Sequence, residues 1–456
     1  MDGYEPDRVR RHGGHAVVIG ASIAGLLAAR VLADAFERVT VVDRDPLPTD
    51  GDARRGVPQG RHIHVLLVAG QTIMETLVPG FTDELVASGA LKIDFSRDVW
   101  VHAAGGFLAP GTGEMPLYYA SRPLIERTLR SCVARHDRVT VEPGHQVADL
   151  AVTGDRAIEG VVVRHDGSER KLPAELVVDT TGRGSRTGTW LQQLGYAVPT
   201  REQIHVDLVY RTCRIHRPSH DRRAMLILPA APRARGAAVA PIENDRWIVT
   251  LFGMHGDHPP GNVDELREFA AGLPTAVVRE LLDEYELETP DIAHYRFPAY
   301  TRRRYEQLED HPAGLLSLGD AVANFNPIYG QGMSVAAQEA LALHHTLAER
   351  GLADLGGRFY SRVDKIVENA WSVATGGDFQ FPQTSGAKPR GTDLLNRYVT
   401  RLHRKAHTDS MLADAFARVA ALEKPPTSLL HPSIAWRVLW PGVPDQSTTS
   451  GSGAAA

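Results

Sequence analysis

The sequence predicts an α/β protein in which a discontinuous nucleotide-binding domain carries an inserted antiparallel β-rich domain and a set of C-terminal helices. Three observations carry this prediction. A strand–turn–helix–strand unit with a G-x-G-x-x-G-type turn runs from His15 to Asp43. A second strand-to-helix turn rich in glycine, Gly319 to Met333, lies about three hundred residues later. Between them, from Glu202 to Met254, short alternating apolar runs with polar separators mark a separate antiparallel sheet.

The opening unit fixes the rest. Ala16 to Ile19 is a β-branched run, Leu26 to Phe36 carries Ala, Leu and Val at helical spacing, and Val39 to Val42 is a second strand ending on Asp43. Gly20 permits the tight turn and Gly25 lets the helix lie close on the sheet. Ser22 occupies the middle glycine position, where its hydroxyl can donate to a phosphate oxygen. The helix N-terminus offers free N–H groups to a pyrophosphate, and Asp43 is placed to accept from ribose hydroxyls. A buried βαβ unit without nucleotide is the bland alternative. A secretory signal is another, since Arg10 and Arg11 precede an apolar run. That run, however, dissolves into a strand ending on a correctly spaced acid.

A chain of 456 residues exceeds one simple core and implies two or three domains or an interleaved pair. A net charge of -5 argues against nucleic acid. Two cysteines, Cys132 and Cys213, exclude a disulfide framework and point to a reducing, cytoplasmic setting. No apolar run reaches the ~18 residues of a transmembrane helix, no fixed-period repeat is present, and oligomeric state is not encoded legibly.

Taken in order, Met1 to Gly14 reads as loose and polar, and Arg44 to Gly60 as a Pro/Gly/Arg loop followed by a helix from about His62 to Leu77. Phe81 to Gly89 is a short helix; Leu91 to Leu108 and Met115 to Tyr119 alternate as strands of a second sheet. Ser121 or Arg122 caps a helix reaching about Arg135, with Pro123 in its first turn. Val139 to Glu142 is a strand, Gln146 to Leu150 and Ile158 to Arg164 form a meander with turns at Gly154-Asp155 and Asp166-Gly167, and Leu176 to Asp179 is a buried strand. A further glycine-bearing turn, Thr180 to Arg186, precedes the helix Thr187 to Leu194. Val263 to Tyr285 is helical with a break at Gly272-Leu273-Pro274, and Leu315 to Asp320 returns to strand. Helices are expected at Gly332 to Arg350, Phe359 to Thr375, Thr392 to His403 and Ser410 to Leu422. The nucleotide domain is thus assigned to 14–80, 120–195 and 296–350, the second domain to 81–119 and 196–295, a C-terminal helical segment to 351–442, and loose tails to 1–13 and 443–456.

In the later turn, Gly319 allows close backbone approach so that Asp320 accepts from a polyol hydroxyl, and the helix opening near Gly332 presents N–H groups where negative charge builds on a bound ring. The histidines give no metal site: His62-Ile63-His64 is a weak pair, no H-E-x-x-H occurs, and Ser185 lacks a G-x-S-x-G context. Arg302-Arg303-Arg304 reads as a solvated face, and Ser433 to Trp440 as apolar core packing or a contact surface.

These residues resemble the class A flavoprotein monooxygenases of the para-hydroxybenzoate hydroxylase fold. The three expected motifs occur in order: Gly20/Ser22/Gly25, Asp179/Gly182 and Gly319/Asp320, with Thr180-Thr181 separating Asp179 from Gly182 where the family has the two adjacent. Gly56 to His64, Val177 to Arg186 and Gly319 to Ser334 look most like the flavin epoxidases of polyether biosynthesis. The resemblance implies a Rossmann-like FAD domain with FAD contacted at Gly20, Ser22, Gly25, Asp43, Arg44, Arg55, Arg122, Val147 (by backbone), Asp320, Pro327, Gly330, Gly332 and Met333. It further implies a flavin C4a-hydroperoxide that epoxidises or hydroxylates a lipophilic polyketide-like or terpenoid substrate using O2. NAD(P)H would be the electron source, directly or through a separate flavin reductase. No catalytic side chain is assigned; the backbone N–H groups of Gly332 and Met333 are the candidates for stabilising the flavin anion. An FAD-dependent dehydrogenase or reductase on the same fold, and a non-catalytic prenyl-binding protein, are the alternatives; the Trp-x-Trp-x-Ile-Pro run of flavin halogenases is absent.

Overall fold

The computed structural model describes residues 3–49, 53–154 and 156–440. The expected tail 443–456, Asp155 of the predicted turn and positions 50–52 of the Arg44–Gly60 loop lie outside these residues.

Five parallel strands form the organising sheet, in the order Leu315–Ser317, Leu176–Asp179, Gly13–Ile19, Phe36–Asp43, Val139–Pro143. Ile19 pairs with Asp179, which pairs with Ser317. The strands therefore end level, and the turns after Ile19, Asp43, Asp179 and Ser317 emerge on one edge, where open α/β sheets bind ligands. The near-continuous apolar strands are buried on both faces, as parallel strands require. The helices Ile23–Ala35 and Gly332–Arg350 cover one face and pack on each other through alanines. A small antiparallel sheet, Gln146–Val152, Ile158–His165 and Ser168–Pro173, packs against the other.

The large antiparallel sheet runs Ala293–Arg303, Arg201–His216, Arg246–Gly253, Arg235–Ile242, Ala224–Ile227, Val99–Ala103, Gly106–Phe107, with Ser385–Gly386 added to the long second strand. Val99–Ala103 joins parallel to Ala224–Ile227 and so draws the early segment into the same sheet. The period-two alternation has a purpose here. Val249 and Leu251 pack against the helices Val263–Ala271 and Val277–Glu284, while Phe252 and Ala238 face a cavity on the opposite side.

Several expectations are corrected. The helix predicted from about His62 begins only at Val68; the residues before it are tied across to the large sheet, with His62 Nδ1 2.7 Å from Thr212 Oγ1 and the Ile63 N–H donating to Thr250 Oγ1. The boundary drawn at 296 falls inside the strand Ala293–Arg303. That strand carries Pro298 and lies at the sheet edge, where a missing donor is tolerated. Leu91–Asp94 and Pro116–Tyr119 form their own two-stranded ribbon, and Phe95–Asp98 is a helical turn. The segment Met1 to Gly14, read as loose, is held down over its described residues: Val9 is buried, and the Tyr4 hydroxyl donates to Asp34 while its ring meets His344 edge-on. Arg302 is no solvated arginine; it is 2% exposed and donates to Asp364 and Glu368 on the helix Leu355–Asp378. Conversely, the helix Pro432–Leu439 does not bury its apolar face as expected: Trp436, Leu439 and Trp440 are all more than half exposed. Both cysteines are free and buried.

Candidate functional site

The edge where the parallel strands end opens into a cavity of about 1180 Å³ that continues under the large sheet. Among the residues selected from sequence, Gly20, Ser22, Asp43, Arg44, Arg55, Arg122, Val147, Asp320, Pro327, Gly330, Gly332 and Met333 line it. Gly25 does not. It lies under the turn, where an added Cβ would fall 1.8 Å from the Gly20 carbonyl oxygen, so its part is to let helix and strand touch.

One end is polar. The Asp43 carboxylate accepts from the N–H groups of Ala21 and Asp45 and from Arg54, at 2.7, 2.9 and 3.0 Å. Arg54 also pairs with Asp45 and Glu126. Arg122 donates to Ser22 Oγ at 2.7 Å and to Glu126 at 3.1 Å, and Ser22 donates to Glu126 at 2.8 Å. The Arg122 Nε is buried with no partner among the described residues. It is thus a charged donor left over at the N-terminus of the helix Ile23–Ala35, where an anion is favoured. Arg44 and Arg55, the arginines expected to fold back here, are exposed on the rim; Arg54 and Glu126 hold the network instead. Glu126 was readable as the i+4 neighbour of Arg122 on one helix face. Choosing Arg54 over Arg55 needed the loop's path.

The other motif closes the middle of the cavity. Gly319 has φ of +69°, and an added Cβ would lie 2.8 Å from Ala24, so the two glycine turns meet. Asp320 keeps part of its surface open to the cavity. Burial pushes its carboxyl up, while the guanidiniums of Arg183, Arg122 and Arg303 pull it back. Gln331, at the entry to the helix Gly332–Arg350, is 1% exposed, and its amide nitrogen and oxygen are both unpaired among the described residues. The N–H groups of that helix's first turn have no intrahelical acceptor. Beneath it, buried Glu339 accepts from the Gly319 N–H, and burial pushes it up to about 8.

The middle motif divides its labour. Asp179 is fully buried and turns away, accepting from Thr181, Ser185 and Thr187. Gly182 and Arg183 face the cavity, and the Arg183 guanidinium sits 5.4 Å over the Tyr295 ring and 5.3 Å over Phe297. His62 and His64 are held neutral, since burial pushes them down to about 4 and about 3. No metal-binding cluster occurs among the described residues, and no described helix is long and apolar enough to cross a membrane.

Asp378, at the end of the helix Leu355–Asp378, braces the loop that carries Pro327 and Gly330. It accepts from Asn326 Nδ2 at 2.9 Å and from the Tyr329 hydroxyl at 3.1 Å. Burial pushes its carboxyl up to about 7 against the pull of Asn326, Tyr300 and Tyr329. A carboxyl raised on folding binds its proton more tightly in the folded than in the unfolded chain. Its stabilisation is therefore full in acid and lost as pH rises through the folded value. The melting temperature of the wild type should fall between about pH 5 and 8, and more steeply than that of Asp378→Asn, in thermal melts at matched ionic strength. Equal slopes would show that Asp378 does not titrate there.

Two glycine turns and a stranded arginine facing one elongated cavity define a protein built to hold an extended dinucleotide. The chain belongs to the family described as FAD binding domain, which it matches over residues 15–354. It is 34% identical to Protein Rv3254 of Mycobacterium tuberculosis, over 89% of this chain and 88% of that one. It is 23% identical to 6-methylpretetramide 4-monooxygenase of Streptomyces rimosus, over 87% and 92%. Among solved structures, that of the flavin-dependent halogenase CmlS superposes with a TM-score of 0.64 at 15% identity, over 91% of this chain and 78% of that one, a likeness of fold alone. The residues fit FAD: the unpaired Arg122 Nε suits a phosphate, Asp43 and Asp320 suit ribose and ribityl hydroxyls, and the glycines leave the backbone bare where the cofactor would pass.

Proposed function

We propose that this FAD-dependent monooxygenase family member epoxidises or hydroxylates a lipophilic polyketide-like or terpenoid substrate. The observation that carries this is the cavity's size and division. At about 1180 Å³ it exceeds the roughly 300–1,000 Å³ of an ordinary small-molecule site. The cofactor motifs occupy one part, and the other is walled by Val101, Leu226, Leu228, Phe252, Phe297 and Phe325. A relative named for oxygenating 6-methylpretetramide supports a bulky substrate, and the motif likeness to polyether epoxidases favours an alkene as strongly as a ring.

When bound, FAD supplies the activation of O2, with electrons from NAD(P)H taken directly or through a separate flavin reductase. The chain's own part is positional. Arg122, with Ser22 held beside it, would anchor the pyrophosphate; Asp43 and Asp320 would accept from the sugar and ribityl hydroxyls. The N–H groups of Gly332 and Met333 would face the negative charge of the bound ring, and the apolar wall would keep water from the reacting carbon.

The test is isotopic. FAD-loaded protein, NADPH, a flavin reductase and ¹⁸O₂ should place one labelled oxygen atom in a product of 2-naphthol or of farnesol, the second oxygen leaving as water. Consumption of NADPH with peroxide alone and no labelled product would overturn oxygen transfer. A colourless protein that takes up no FAD would overturn the reading one step earlier.

A further inference from the structure

The helix Thr392–Ala406 lies beyond both glycine-bearing turns and beyond the residues matched to the family. Exposed Leu395 and Arg404 border the cavity too, and one face of the helix lines it through Asn396, Val399, Thr400 and His403. Their spacing of three and four residues sets them in a single row.

Two atoms on this row are out of place in a finished core. Asn396 Nδ2 and His403 Nε2 are buried, and neither has a hydrogen-bond partner among the described residues. Buried polar atoms in folded proteins are almost always paired, so a pair left open on a cavity wall marks where a ligand completes them. Burial pushes His403 down to about 4 and keeps it neutral, so its ring meets a neutral oxygen and offers no cation to a carboxylate. The ring stands edge-on to Phe416, with centroids 4.4 Å apart, which fixes its direction. Asn396 and His403 are two helical turns apart, about 10 Å along the axis, with apolar Val399 between them.

We propose that this helix face is a substrate-recognition site for an elongated, uncharged, mostly apolar molecule carrying a hydroxyl or carbonyl oxygen near each end, one for Asn396 Nδ2 and one for His403 Nε2. The site rests on the proposed function only in naming its occupant the substrate; the binding itself needs no oxygen chemistry. The C-terminal helices thereby set which molecule is presented, while the glycine turns set what is done to it.

The probe is 2,6-dihydroxyanthraquinone, whose outer hydroxyls lie about two helical turns apart, compared with anthraquinone, which lacks them. Calorimetric titration of the protein as purified should show tighter binding of the dihydroxy compound. Asn396→Leu and His403→Phe should each weaken it about tenfold, the scale of one lost buried hydrogen bond, and should leave anthraquinone affinity and FAD content as in the wild type. His403→Asn, which keeps a donor on the same face, should recover part of the loss and guards against a packing effect of the phenylalanine. Equal affinity for the two compounds, no binding of either, or variants that bind the dihydroxy probe as well as the wild type would overturn the assignment. Absence of FAD from the purified protein would instead overturn the proposed function, since the titration reads binding without the flavin.

Discussion

Gly25→Val should abolish FAD retention and sharply lower the melting temperature. An added Cβ at Gly25 falls 1.8 Å from the Gly20 carbonyl oxygen and 2.7 Å from Thr180 Oγ1. The first of these atoms is backbone and cannot rotate aside. Either the helix Ile23–Ala35 lifts from the sheet or the turn opens. Overpacking of a well-filled core costs about 1–3 kcal/mol and sometimes more, and a backbone clash belongs at the upper end. Both outcomes also pull the helix N-terminus away from the pyrophosphate position. Thermal melts and the flavin content of the purified variant check this. A yellow protein melting like the wild type would show that Gly25 does not govern the contact.

Asp320→Ala should act with opposite signs on binding and on stability. FAD affinity should fall by about 1.5–3 kcal/mol, the value of a hydrogen bond to a charged group. The apo-protein, by contrast, should melt no lower than the wild type, because the alanine removes a carboxyl that burial disfavours and that three guanidiniums counter only through space. Such an exchange of stability for function is the mark of a binding group rather than a structural one. Equilibrium titration with FAD and melting of stripped protein measure the two effects. Unchanged affinity, or a destabilised apo-protein, would refute the placement of Asp320 at the ribityl chain.

What the sequence disclosed and what it hid divide along a physical line. The parallel sheet was legible because its strands are continuous β-branched runs and its turns need particular glycines. Gly20, Gly25 and Gly319 carry their geometry in the residue type itself. Arg54 and Glu126 were hidden because ion-pair partners depend on where a loop returns, and the doublet Arg54-Arg55 gives no local reason to prefer one. Arg302 was misread for the same cause: its partners, Asp364 and Glu368, come from a helix some sixty residues on. The strand Ala293–Arg303 went unread; it carries Pro298 in its middle, which only an edge position tolerates. The helix Thr392–Ala406 was found as an element, yet its place against the cavity was invisible, since no periodicity states what a face will meet.

Asp378 ends the helix on whose last turn Gly376 and Gly377 also border the cavity. A chain cut after residue 354 would therefore keep each glycine turn and still leave the loop at Asn326 to Gly330 without its brace and the compartment without a roof. The loop that carries Pro327 and Gly330 thus leans on a helix outside the residues matched to the family, so exchanging that helix would disturb the loop and the compartment wall together.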